Sequence, residues 1–252
     1  MYQQISVHKG WTRRFLIPAA VALAMASSGA SATLITFTGS GFNSQNSAEP
    51  VSAQADFDVE NGLLTLTLTN LLTASQVVSA GQALSDISFD LSDDVGTVGT
   101  ETATGQFGNL DNAGNVTLVA TDARTGDSTP TRWFTNGSVS GTSITLEAIG
   151  GGKPSQMILP SATSFPNSNA SLVQFNSSVI GPATFTLALS GITQDTTISN
   201  VTFSFGTTPD TFIPGTCTVN CTPLPSVPEP ASILLLGAAL IGLGASRKAK
   251  RR

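Results

Sequence analysis

Only one histidine occurs in the 252-residue chain, and it is His8, close to the N-terminus. Beyond it, the chain cannot assemble a Ser-His-Asp triad, a Cys-His pair or a histidine metal site. Basic residues are almost as scarce: eight of the eleven lie in residues 1–32 and 247–252, leaving Arg124, Arg132 and Lys153 between them. Fifteen of the sixteen acidic residues fall in residues 33–226, so that span carries a net charge of −12. Nucleic acid and anionic membranes are therefore excluded as its partners, since both are bound by cationic patches. The span has no Tyr and a single Trp, Trp133, so few aromatic platforms are available for stacking. No Gly-x-Ser-x-Gly elbow occurs, and the Gly150-Gly151-Gly152-Lys153-Pro154 run fails the phosphate-loop pattern because Pro154 stands where Ser or Thr is required.

What the span does have is alternation. Ala53, Ala55, Phe57 and Val59 alternate with polar residues, Asn61-Gly62 follows, and then Leu64, Leu66 and Leu68 alternate with threonines. An Asn-Gly pair between two such runs predicts a two-residue type I′ hairpin. Pairing Glu60 with Leu63 sets Val59 opposite Leu64, Phe57 opposite Leu66 and Ala55 opposite Leu68, so that both apolar sets share one face; a one-residue slip would separate them. Asp56, Asp58 and Glu60 then fall on the solvent face. Further apolar stripes are Ile87/Phe89/Leu91, Val116/Leu118/Ala120, Ile144/Leu146/Ala148, Phe185/Leu187/Leu189 and Val201/Phe203/Phe205, with residues 33–38 a first strand and 172–175 a short one. Residues 93–114 and 121–141 read as long loops. Helical spacing is absent, and the pattern predicts an all-β antiparallel sandwich over residues 33–213, jelly-roll or immunoglobulin-like.

The two ends read differently. Lys9, Arg13 and Arg14 precede an apolar segment, and small residues follow to Ala30-Ser31-Ala32, the layout of a secretory signal peptide over residues 1–32 with cleavage after Ala32. At the other end, residues 214–226 form a Pro-rich linker holding Cys217 and Cys221. Val227, Pro228, Glu229 and Pro230 precede an apolar run over residues 231–246, and Arg247, Lys248, Lys250, Arg251 and Arg252 close the chain. As a helix the run would be about 24 Å long, slightly short of a hydrocarbon core, and the cations mark a cytoplasmic end. Each proline pushes the preceding residue away from helix, so Glu229 sits in extended backbone that a processing enzyme can grip.

This order of motif, short helix and basic terminus, over residues 227–252, resembles the PEP-CTERM sorting signal. The resemblance implies an exported protein that is transiently anchored in the inner membrane, processed near Pro228-Glu229-Pro230 by an exosortase, and passed to the cell surface or extracellular matrix. Signal peptidase and the Sec machinery are the other expected partners, and exopolysaccharide a possible one.

Within the span itself, candidate sites are few. Cys217 and Cys221, the only cysteines, read in an exported chain as a disulfide closing a small loop. Trp133 is the best candidate for stacking on a sugar, against the alternative of a core residue. Asp90, Asp93 and Asp94 form an acidic cluster that could supply oxygen ligands to calcium. No other cofactor is implied. The expected role is structural or adhesive within an exopolysaccharide layer and not enzymatic. The alternatives are a carbohydrate-binding module or, needing only two acids about a sugar bond, a paired-carboxylate glycosidase.

Overall fold

The computed structural model describes residues 33–120, 133–135, 141–149, 154, 156–208 and 211–221. The expected signal peptide with Ala30 and Ala32, the sorting signal with Val227 to Pro230, the helix over 231–246 and the basic terminus lie outside these residues, as do Arg124, Arg132 and Lys153. Among the described residues there is no α-helix, and none is long and apolar enough to cross a membrane. The structure is mostly antiparallel sheet.

Among the described residues fifteen strands, numbered in chain order, form two sheets. The first runs β15 (Thr216–Val219), β1 (Thr33–Phe42), β2 (Pro50–Glu60), β3 (Leu63–Asn70), β12 (Ala183–Leu189) and β5 (Val98–Thr104). The second runs β14 (Thr211–Pro214), β13 (Ile198–Phe205), β4 (Leu84–Leu91), β10 (Ile158–Leu159), β11 (Ser178–Ile180), β6 (Phe107–Leu110) and β7 (Val116–Val119), with β9 (Ser143–Glu147) bridging β4 and β8 (Phe134–Thr135). Among the described residues only β10 and β11 pair in parallel.

Alternation decides which faces meet. In β2 and β3 buried and half-buried residues alternate along most of each strand, and Ala55, Phe57, Leu64, Leu66 and Leu68 are fully enclosed. Phe57 touches Phe37 of β1 edge-on, with ring centroids 5.9 Å apart, and reaches across to Phe89 of β4 at 4.9 Å. The inward side chains of both sheets thereby form one apolar core. Gly39 of β1 permits close approach of the layers: a Cβ there would lie 2.8 Å from the Phe203 ring of β13.

The hairpin register is the expected one, with Glu60 facing Leu63 and Phe57 facing Leu66. Its turn is not type I′, because only Gly62 adopts a positive φ, 76°. The neighbouring 189–194 segment takes over the turn's polar groups: Gly62 N–H donates to Ile192 O, Leu189 N–H to Gly62 O, and Gln194 N–H to Asn61 Oδ1. Tertiary partners outweigh the local preference. Asp56 and Asp58 are half-buried where a solvent face was expected, since the strands on either side crowd them. Thr36 Oγ1 and Gln54 Nε2 both donate to Asp56, at 2.7 and 2.8 Å.

Other departures have physical causes. Residues 93–114 contain β5 and β6. β5 is an edge strand whose residues are mostly exposed, so it shows no apolar stripe. Of the stripe Val116/Leu118/Ala120 only Val116 packs against the core: β7 is also an edge, Leu118 is 58 % exposed and Ala120 is exposed. Residues 173–175 form a 3₁₀ turn in place of a strand, nucleated by Asn169, whose Oδ1 accepts from Ser171 N–H and whose backbone carbonyl accepts from Leu172 N–H. Within the expected linker, Thr216–Val219 is strand β15, paired with β1.

Candidate functional site

Four connections meet in a cleft of about 360 Å³: the β1–β2 loop, the 3₁₀ turn Ala80–Gln82, the segment leading into Val173–Phe175, and the turn after β13. Asn43 and Glu49 organise it. Asn43 Oδ1 accepts from Gln45 N–H and Asn46 Oδ1 from Ala48 N–H, two successive side-chain-closed turns that bend the loop between the strands. The bend brings Glu49 back over Asn43. Its carboxylate, 7 % exposed, accepts from Asn43 Nδ2 (3.1 Å), Asn46 Nδ2 (3.1 Å) and Ser79 Oγ (2.6 Å). Three neutral donors thus compensate a buried charge that no described cation could balance, because the described residues contain no Lys, Arg or His.

The opposite wall is pinned as firmly. Gln82, fully buried, accepts from Val78 N–H and donates to the Pro50 and Gln76 carbonyls, and Asn70 Nδ2 donates to Gln82 O. Ala80 N–H donates to Ser171 Oγ, tying the turn to the 169–175 segment. Gly81 lies so close to Asn43 that a Cβ would be 2.1 Å from Nδ2. The cleft is therefore held by its own hydrogen bonds before any ligand arrives. The regular spacing of Asn43, Asn46 and Glu49 was the one signal in the sequence for it, and reading for strands passes over it.

Trp133 is not a stacking platform. It is 5 % exposed, packs on Phe185 of β12 with ring centroids 5.2 Å apart, and donates its indole N–H to Gln156 O at 2.8 Å. A large ring with its one polar atom satisfied belongs in the core. Cys217 and Cys221 form a disulfide, with Cα atoms 5.5 Å apart. It ties Cys217, within β15 and opposite Phe37 of β1, to the residue just past the strand's end.

Asp90, Asp93 and Asp94 do not converge. Asp90 accepts from Ser143 Oγ and from Asn200 Nδ2, which hold its carboxyl below the usual carboxylate range. Asn200 reaches it from a bulge in β13, where it adopts φ 52°, a conformation asparagine tolerates. Asp93 accepts from Thr196 Oγ1, and Asp94 closes its own turn onto Gly96 N–H. Among the described residues no three His, Cys, Asp or Glu side chains gather as a metal site.

The carboxylate pair that does form is Asp86 with Glu147, directly opposite each other on β4 and β9. Burial pushes the Asp86 carboxyl up to about 6, the Ser204 hydroxyl opposes that shift, and the Glu147 charge adds to it. At 6 % exposure, Asp86 is closed to a polymer chain.

The described geometry does not identify a reaction, and the clearest functional signal comes from the C-terminus. Residues 226–248 match the family model of the PEP-CTERM protein-sorting motif. The chain carries a PEP-CTERM sorting motif. Comparison with curated proteins and with solved structures finds no match. The PEP-CTERM match covers Val227 to Pro230, the apolar run and the first two basic residues, Arg247 and Lys248, of the positions that carried the resemblance. It implies export and exosortase-dependent sorting to the cell surface, with an exosortase as processing partner.

Proposed function

We propose that this protein is an exported component of the cell surface or extracellular matrix, structural or adhesive in an exopolysaccharide layer, and that the only chemistry in its life is performed on it. The signal peptide is removed after Ala32 by signal peptidase following Sec export. Residues 231–246 then hold the chain in the inner membrane until exosortase cuts near Val227 to Pro230. The sorting motif is the observation that carries this reading. Two features of the described residues support it: a rigid body of faced sheets, taken here as a jelly-roll or immunoglobulin-like sandwich, and a surface with carboxylates but no cationic side chain. A polyanionic body resists self-association and non-specific adsorption before it reaches its layer. No catalytic role and no cofactor enter the proposal. Mass spectrometry of the surface-exposed form tests it: the expected C-terminus lies near Pro228, and recovery of intact Arg252 would overturn processing.

A further inference from the structure

We propose that the cleft beside Glu49 binds an uncharged saccharide, a short segment of neutral glycan. This deepens the matrix reading above and rests on it for the ligand's availability.

The chemistry of the walls selects the ligand. Asn43, Gln45, Glu49, Ser171 and Thr207 supply amide, carboxylate and hydroxyl groups, a dense mixture of donors and acceptors, while Phe175 supplies an apolar surface. No described side chain is cationic, so phosphate, sulfate and uronate groups meet no counter-charge there and face an acidic body. A neutral sugar presents what these walls match: hydroxyls that both donate and accept, and a carbon face.

Glu49 is suited to such a partner. An ionised carboxylate offers about four acceptor positions, and three are filled by Asn43, Asn46 and Ser79, leaving acceptor capacity for a hydroxyl. The volume, about 360 Å³, sits at the small end of the roughly 300–1,000 Å³ range of ligand sites, which fits a short segment better than a long chain. Because the walls are fixed by internal hydrogen bonds, little ordering is left to oppose binding. Phe42, 61 % exposed, immediately precedes Asn43, so an exposed ring stands in the chain next to the cleft wall.

The test titrates the purified full chain, disulfide intact, with neutral gluco-, galacto- and manno-oligosaccharides and with an oligouronate. At least one neutral oligosaccharide is expected to bind and the oligouronate not to. Glu49→Gln should weaken binding by about tenfold or more, as loss of a charge-assisted hydrogen bond does. Glu49 also supports the loop, so a second variant guards against misfolding. Gln45→Ala combined with Thr207→Val removes two wall groups whose side chains make no hydrogen bond in the structure, and should weaken binding by about threefold. Absence of neutral-glycan binding by the folded protein, unchanged affinity in the double variant, or preference for the oligouronate would each overturn the proposal. Failure here with a processed C-terminus leaves the sorting reading standing, whereas intact Arg252 on the surface form strikes that reading alone.

Discussion

Glu49 and Asp86 are equally hidden, at 7 % and 6 % exposure, yet the fold treats them in opposite ways. Glu49 is surrounded by donors, two amides and a hydroxyl. Asp86 has the Ser204 hydroxyl and faces a second carboxylate, Glu147, across the sheet. Burial sets the cost of a charge, and the partners decide whether that cost is met. In a protein with no cations in its described residues, hydrogen-bond donors are the only compensation the structure shows. Where they are many, the charge becomes a structural hub; where they are few, the charge is a liability that protonation relieves.

The largest test removes the hub. Glu49→Leu strands the Asn43 amide and the Ser79 hydroxyl and loses three hydrogen bonds to a charge, so chemical denaturation should show a loss of about 3 kcal/mol or more. A loss under about 1 kcal/mol would mean that the loop re-pairs without it.

Asp86 should show the reverse sign. Its carboxyl titrates near 6 in the folded protein against 3.8 in the unfolded chain, so the native state binds a proton more tightly. This contribution favours folding at pH 4 and is lost as the pH rises to about 6, a swing on the order of 3 kcal/mol. Asp86→Asn should therefore raise stability at pH 7.5 by about 2 kcal/mol and flatten the pH dependence between 4 and 6. Equal stabilisation at pH 3 and pH 7.5 would contradict the assignment.

Glu147→Gln sharpens the same contrast more gently. Removing the like charge opposite Asp86 should lower the Asp86 titration midpoint toward its ordinary value and stabilise the neutral-pH fold by about 0.5 kcal/mol, read by carboxyl NMR and denaturation together.

The smallest effect is expected at Asp90. Its two hydrogen bonds depress its carboxyl, so the stability they contribute is present above the unfolded value and lost as pH falls through the folded one. The side chain is largely solvated, and Asp90→Asn should change stability by less than about 0.5 kcal/mol after solvent screening. The NMR titration would still place Asp90 below an ordinary aspartate.

The same distinction explains what could be read from the amino-acid order. The β2–β3 register was legible because period-two alternation leaves one solution, and a one-residue slip would put Phe57 and Leu66 on opposite faces, exposing one of the two stripes. Strands that bury one side chain or none, such as β5 and β15, carry no such constraint and look like loops. Trp133 shows the limit from the other direction: its neighbours in sequence are a basic residue and a phenylalanine, but its environment is set by Phe185 and Gln156, contacts that no local pattern encodes. The cleft was invisible for the same reason. Asn43 and Glu49 are close in the chain, but Ser79, Ser171 and Thr207 reach them only through the fold.

One pairing bears on how the molecule is handled in transit. β15 lies antiparallel against β1, with Val219 beside Thr36 and the Asn220 amide donating to Leu34 O at 2.7 Å. The first and last described residues of the body therefore leave the sheet side by side. A pull at either end acts on the same corner, and a cut before Thr33 or beyond Cys221 removes none of the described strands. A load applied through the C-terminal end of the described residues is taken first by the hydrogen bonds joining β15 to β1.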